Sequence, residues 1–128
     1  MKKAIFTIAI AASLVAGLTA PAFAHGSMKP SHGGVVQESG EVLFELVKGA
    51  KGVDVYITEE DEPLAASKYD AKLIVTTPAG QKTTTVMKAA AGNRFTAAGL
   101  KPASGSKVVV SLVAKGQAAK TFATFQVK

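Results

Sequence analysis

Apolar and polar residues alternate along most of the chain beyond residue 34. Residues 41–48 place Val42, Phe44 and Leu46 at every second position, and residues 52–58 repeat the pattern. Successive side chains of a strand point to opposite faces, so this period predicts strands with one buried face. Further strands are predicted at segments bounded by glycine, proline or polar turn residues, namely 35–37, 71–77, 82–88, 94–98, 107–114 and 120–127.

Valine, isoleucine, threonine and phenylalanine dominate these segments, and the helical period of 3.6 residues does not occur in them. Short strands separated by regularly spaced turns are typical of two packed antiparallel sheets with Greek-key connections. We therefore predict an all-β fold, an immunoglobulin-like antiparallel β-sandwich of seven to eight strands over residues 35–128. Pro78-Ala79-Gly80 predicts the turn of a hairpin between the two segments beside it.

The beginning of the chain has a different pattern, a nearly unbroken apolar run. Two lysines precede residues 4–20, and Ala22-Phe23-Ala24 places small residues where signal peptidase requires them. Residues 1–24 are therefore predicted to be a cleaved signal peptide. This predicts a periplasmic protein that is not inserted in the membrane after processing. Cleavage after Ala24 makes His25 the first residue of the exported protein.

Composition excludes several functions. The chain has a net charge of +6 and no cysteine. Its lysines are dispersed rather than clustered, which gives no support to nucleic-acid binding. The missing cysteine excludes disulfides, thiolate metal sites and cysteine nucleophiles. No histidine follows His32 and no glycine-rich phosphate loop is present, so a histidine-based catalytic triad inside the sandwich is excluded and we expect no enzymatic activity.

Both histidines of the chain lie in a short polar arm, residues 25–34, with the sequence HGSMKPSHGG. Its glycines, proline and serines predict an irregular, flexible segment. The free α-amine and the Nδ1 atom of His25 form a chelating pair, His32 can supply a third nitrogen, and Met28 can add a thioether. Nitrogen ligands suit Cu(II), so copper is the expected metal, and zinc or nickel is the alternative.

Each candidate ligand also has a structural interpretation. His32 is also consistent with a simple exposed polar residue before the first strand, where Gly33 and Gly34 allow a tight turn. Met87 is a more distant candidate for a thioether ligand, and its place in a strand pattern favours a position in the core. The acidic run Glu59–Glu62 offers carboxylates to a hard cation such as Ca(II). It lacks the alternating aspartate spacing of such sites, which favours a solvated turn.

A family resemblance rests on three segments. They are His32-Gly33-Gly34-Val35-Val36, Phe44-Glu45-Leu46-Val47, and Val55-Tyr56-Ile57-Thr58 ahead of the acidic run and Pro63-Leu64. This pattern resembles a small periplasmic β-domain found near the N-terminus of membrane-fusion subunits of heavy-metal efflux pumps. The resemblance implies a β-sandwich in a metal-handling setting, with an efflux subunit or another periplasmic protein as its partner.

A second likeness is to periplasmic copper carriers of the copper-resistance C type. These are exported β-sandwiches whose mature chain begins with histidine. The histidine that such carriers contribute late in the chain is missing here, because no histidine follows His32. Only the role of His25 as a ligand therefore carries over from this likeness.

These patterns together predict a periplasmic protein that binds or buffers a metal, copper foremost, for heavy-metal resistance or efflux. Its predicted ligands are His25, His32 and Met28. The alternative is a metal-independent interaction module. Such a module would contact a cell-envelope partner through a sheet edge, the region of Tyr56 and Tyr69, or the acidic turn.

Overall fold

The computed structural model describes residues 28–128, which form two antiparallel sheets packed face to face. A single turn of 3-10 helix at Ala66–Lys68 joins the fourth strand to the fifth. The strands are β1 (Val35–Ser39), β2 (Val42–Gly49), β3 (Gly52–Glu59), β4 (Glu62–Pro63), β5 (Tyr69–Thr76), β6 (Lys82–Val86), β7 (Lys88–Ala89), β8 (Arg94–Ala98), β9 (Lys107–Ala114) and β10 (Lys120–Gln126). The prediction of an all-β antiparallel sandwich is confirmed.

The two sheets differ in size. Sheet A has the strand order β1-β2-β3-β8-β7, with β4 paired to β3, and sheet B has the order β10-β9-β5-β6. The strand count exceeds the predicted seven to eight because β4 and β7 contain only two residues each. Such short strands carry too few positions for a period of two to be recognised. The predicted signal peptide lies outside the described residues.

The predicted strand 82–88 is divided between the two sheets. Its first part is β6 in sheet B, and β7 continues in sheet A. Met87 lies between them with 5% of its surface exposed, and its backbone N–H donates to the Ala71 carbonyl at 2.9 Å. The chain crosses the edge of the sandwich at this residue. Met87 therefore packs in the core, as its pattern favoured.

Alternate residues of the long strands meet between the sheets. The fully buried aromatic residues are Phe44 of β2, Phe95 of β8 and Phe125 of β10. Aliphatic residues at the alternating positions of β3, β5 and β9 fill the space between them, namely Val53, Val55, Ile57, Leu73, Val108 and Val110. Truncating one of the phenylalanines to alanine should cost about 3–5 kcal/mol, so this core defines the rigid scaffold.

The predicted hairpin joins β5 and β6. Gly80 has a φ of 88° and its N–H donates to the Thr77 carbonyl at 2.9 Å, which closes the turn. The adjacent pairing runs from Thr76 opposite Lys82 to Lys72 opposite Val86. Within residues 28–128 no helix has the length and hydropathy needed to cross a membrane.

Candidate functional site

The site is built around Glu45, a carboxylate in the middle of β2. Phe44 and Leu46 point into the core, so Glu45 points outward from sheet A. Only 5% of its surface is nevertheless exposed. The reason is the arm that precedes β1, because its residues cross this outer face and cover the carboxylate.

Four donors of the arm converge on the two oxygens of Glu45. Its Oε2 atom accepts the backbone N–H groups of His32, at 2.8 Å, and Gly34, at 3.0 Å. Its Oε1 atom accepts the backbone N–H of Ser31 at 3.0 Å and lies 3.0 Å from the Nδ1 atom of His32. An ionised carboxylate only accepts hydrogen bonds. The proton in the last contact therefore resides on Nδ1.

The electrostatics of Glu45 follow from these contacts. Burial by itself raises the pKa of the carboxyl group, because it disfavours the charged form. The hydrogen bonds from Gly34, from the ring and backbone of His32, and from Ser31 act in the opposite direction and outweigh it. The pKa of Glu45 consequently lies below its usual value, and the carboxylate is charged at neutral pH.

Tyr56 forms the floor beneath the histidine. It lies directly opposite Glu45 in the pairing of β2 with β3, so both side chains share the outer face of sheet A. The imidazole ring of His32 stacks on the phenol ring of Tyr56, with ring centroids 3.5 Å apart and an angle of 8° between the planes. The ring of His32 is thus fixed by a hydrogen bond at its edge and by contact across its face.

Glycine is required at the two positions after His32 for different reasons. Gly33 has a φ of 73°, a left-handed conformation that favours glycine. Gly34 lies so close to β2 that a side-chain carbon there would collide with the backbone of Leu46 and with a methyl group of Val47. The pair lets the arm turn and lie flat on sheet A, which delivers the N–H of Gly34 to Glu45.

The arrangement leaves one nitrogen of the imidazole for other chemistry. With Nδ1 protonated and directed at Glu45, the Nε2 atom of neutral His32 carries a lone pair. The side chain is 41% exposed, so solvent and solutes reach it. In many metal sites the histidine that binds the metal donates its other ring N–H to a carboxylate in this way. His32 therefore has the geometry of a pre-oriented metal ligand.

The three predicted ligands have different outcomes. His32 is held on sheet A, as described. Met28 lies at the beginning of the described arm with 50% of its surface exposed, and it does not line the cleft beside His32. His25 lies outside the described residues. Among residues 28–128 no group of three or more histidine, aspartate or glutamate side chains is arranged to hold a metal ion.

A cleft of about 80 Å³ opens beside the cluster. Polar residues of four different segments line it together with Glu45 and Tyr56, namely Lys29, Ser31, His32, Thr58, Asp61 and Asn93. Asn93 is itself fixed, because its side-chain amide donates to the Ile57 carbonyl at 3.0 Å. Pockets for organic ligands usually have volumes of about 300 Å³ or more. This cleft therefore suits an ion with its waters rather than an organic molecule.

The acidic run after β3 is a turn, as its pattern favoured. Glu60 and Asp61 have φ values of 49° and 64° and connect β3 to β4. Glu59, at the end of β3, shares a hydrogen bond with Glu41, and this contact raises the pKa of Glu59. Partial desolvation and the charges of Glu41 and Glu60 act in the same direction.

Sequence reasoning missed Glu45 and the stacking on Tyr56. A weak signal was present, because Leu43 and Val47, the outward neighbours of Glu45 on β2, are apolar and half-buried. Apolar residues on both sides of a single outward carboxylate indicate a covered surface. The pattern does not reveal which segment covers it.

Comparisons of the chain with protein-family models, with curated proteins and with solved structures found no match. The description of the site therefore rests on its own residues.

Proposed function

We propose that the protein is a periplasmic metal-binding or metal-buffering protein, with copper as the favoured metal, that serves heavy-metal resistance or efflux. The observation that carries the proposal is the state of His32. Its Nδ1 atom is occupied by Glu45 and its ring is fixed on Tyr56, while the side chain stays 41% exposed. Nε2 is then the ring nitrogen that remains for a metal.

The remaining ligands would come from the start of the exported chain. The described residues supply no group of three ionisable ligands, so a complete site needs additional donors. Cleavage before His25 would create two of them, the α-amine and the Nδ1 atom of His25. Seven positions separate His25 from His32, and the intervening glycine and serine allow a close return. Met28 is the soft ligand that would favour Cu(I).

The charge of sheet A supports a cation at this place. All acidic residues of the chain except Asp70 lie between residues 38 and 62, in the strands and turns of sheet A. A surface rich in carboxylates raises the local concentration of cations. Among divalent ions, imidazole and amine nitrogens prefer Cu(II) over Ni(II) and Zn(II), which is why copper is placed first.

The test is a titration with Cu(II) of processed protein whose first residue is His25. The matched control is the same protein acetylated at the α-amine of His25, which removes the amine from the chelating pair and leaves every side chain unchanged. We expect one copper per chain, with nitrogen ligation in the EPR spectrum, and a clear loss of affinity in the acetylated protein, because the acetylated nitrogen no longer offers a lone pair to the metal. Weak binding that is equal in both proteins would refute the proposal.

A second candidate function is a metal-independent interaction module. It is favoured by the outer face of sheet B, where Phe122 exposes 50% and Val86 exposes 73% of its surface. These side chains share one face with Lys72, because Lys72 lies opposite Val86 and Ser111, and Ser111 lies opposite Phe122. Aromatic residues are enriched at protein interfaces. Tyr56, by contrast, is covered by His32.

The two candidates make opposite predictions for one pair of variants. His25→Ala should abolish function in the metal-binding protein and leave an interaction module unaffected. Phe122→Ser should have the reverse effect. Growth of cells on copper, with each variant replacing the original protein, distinguishes the two, because a copper-specific growth defect confined to His25→Ala is expected only of the metal-binding protein.

A further inference from the structure

We infer that Glu45 positions His32 for metal binding. The ligand atom is then Nε2 of His32, and the metal site lies on the outer face of sheet A. The inference rests on the proposed function and deepens it, because it specifies the ligand atom and the residue that prepares it. The sequence left both questions open, since either nitrogen of a histidine in a flexible arm can bind a metal.

The first argument is the hydrogen-bond inventory of Glu45. Each of its oxygens accepts two hydrogen bonds, and all four donors belong to the segment from Ser31 to Gly34. A side chain needed only to attach the arm would be satisfied by the three backbone donors. The fourth donor is the imidazole, and its engagement fixes the tautomer of the ring as well as its orientation.

The second argument is the degree of preorganisation. The stacking of His32 on Tyr56 at 3.5 Å holds the plane of the ring, and the contact with Glu45 at 3.0 Å fixes its rotation within that plane. Tyr56 and Glu45 are opposite each other on neighbouring strands, β3 and β2. The ligand is therefore supported by the rigid sheet and not by the arm alone, so metal binding costs little additional ordering at this residue.

The third argument is electrostatic. A carboxylate that accepts the Nδ1 proton strengthens Nε2 as an electron-pair donor to a metal, and loss of such a partner typically lowers metal affinity by about 10- to 100-fold. Glutamine cannot replace it. In either orientation of the amide, its NH₂ group would face two of the four N–H donors, because every acceptor position of Glu45 is in use.

The first measurement uses the metal-free processed protein labelled with ¹⁵N-histidine. Two-bond and three-bond couplings between ring protons and nitrogens identify the tautomer of each histidine. We expect the Nδ1–H tautomer at His32 in its neutral form. An Nε2–H tautomer at His32 would overturn the inference, and this readout needs no metal and no variant.

The second measurement compares Cu(II) affinity in the original protein and in two charge-matched variants. Glu45→Gln removes the positioning carboxylate, and Asp54→Asn removes a half-buried carboxylate from the neighbouring strand of the same face. We expect affinity to fall by about 10- to 100-fold for Glu45→Gln and to remain within about twofold for Asp54→Asn. Zn(II), a diamagnetic probe, should shift the Nε2 resonance of His32 in the original protein.

The outcomes separate this inference from the proposed function. Copper binding that is tight in the original protein and unchanged in Glu45→Gln overturns the positioning role and leaves the metal-binding function intact. A zinc-induced shift confined to Nδ1 of His32 has the same consequence. Absence of copper binding by the original protein overturns the proposed function and this inference together.

Discussion

The outer faces of the two sheets are built from strands of the same kind, but they differ in how much of their outward side chains is exposed. On sheet A the outward residue Glu45 exposes 5% of its surface, whereas on sheet B the outward residue Phe122 exposes 50%. Hydropathy alone would assign the opposite exposures. The difference arises from the arm, which returns over sheet A and provides hydrogen-bond donors there. Burial of an outward carboxylate therefore marks the face that the arm covers.

The same division is present in the charges. Eight of the nine acidic residues lie between residues 38 and 62, and Asp70 is the exception. The strands of sheet B carry instead four lysines on exposed positions, Lys72, Lys82, Lys107 and Lys120. The strands of sheet A also carry Lys48, Lys88 and Arg94, but its strands and turns together are net acidic, whereas the strands of sheet B are net basic. The sheet that the arm covers is thus the more acidic of the two.

Glu45→Ala should have the largest effect on the difference between the two faces. The variant leaves the N–H groups of Ser31, His32 and Gly34 and the ring of His32 without their acceptor. We expect the free energy of unfolding in urea to fall by about 2–4 kcal/mol. Lys72→Ala, at an exposed outward position of sheet B, is the matched control and should change it by less than about 0.5 kcal/mol. Equal effects of the two substitutions would contradict the distinction between the faces.

Gly34→Ala should disturb the same face through a clash of the new side chain with the backbone of β2. A side-chain carbon at residue 34 collides with the backbone of Leu46, so the arm must move away from β2. We expect a loss of about 1–3 kcal/mol and faster hydrogen exchange at the amides of His32 and Gly34. Gly49→Ala is the control, because a side-chain carbon there finds its nearest neighbour at 3.8 Å. Slow exchange retained at His32 in Gly34→Ala would show that the arm does not need this close approach.

Acid should release the arm, because the pKa of Glu45 in the folded protein lies below its usual value of 4.5. The unfolded chain then binds this proton more tightly than the folded protein does. The stabilisation by Glu45 is present above pH 4.5 and is lost as the pH falls through the lower, folded-state pKa. Urea midpoints between pH 6 and pH 3 should decline more steeply for the original protein than for Glu45→Gln. Parallel curves would count against the hydrogen-bond network.

Tyr56→Leu removes the stacking partner of His32 and leaves Glu45 in place. We expect a decrease of about 0.5–1.5 kcal/mol in the free energy of unfolding. The ring protons of His32 should lose the upfield shift caused by the phenol ring. Tyr56→Phe keeps an aromatic floor and should retain both properties. A His32 spectrum that is identical in Tyr56→Leu would show that the rings do not stack in solution.

The smallest effect is expected on sheet B. Phe122 is half exposed on the outer face, so Phe122→Ser should change the free energy of unfolding by less than about 1 kcal/mol. Urea denaturation provides the value, and Phe125→Ser on the inner face of the same strand should be far more destabilising. A large loss of unfolding free energy in Phe122→Ser would mean that Phe122 is covered by another protein surface in solution. That result would favour the interaction module.

The fold was largely predictable and the site was predictable only in part. The period of two in β2 and β3 follows from burial of alternate residues, which is a local property of each strand. The division of the strand 82–88 at Met87 was not predictable, because it depends on where the chain crosses between the sheets. Both segments that flank Met87 have ordinary strand composition.

The site depends on contacts between residues distant in the chain. The chemistry of His32 identifies it as a candidate ligand. Its partner Glu45 lies thirteen positions later in the chain, and Tyr56 follows still later, on β3. The period of two assigns Glu45 to the outer face and says nothing about what covers it. The glycines of the segment His32-Gly33-Gly34 were attributed to a tight turn. Gly34 has a different reason, its close approach to β2.

The most direct test of the account counts the imidazoles bound to copper. Pulsed EPR detects the remote nitrogen of each imidazole that coordinates Cu(II), and the comparison is processed protein against His32→Asn. The asparagine amide keeps a donor near the position of Nδ1 for Glu45 and lacks the Nε2 atom. We predict two coordinated imidazoles in the original protein and one in His32→Asn, with the arm still docked. A single imidazole in both proteins would show that His32 only anchors the arm, and would contradict the account.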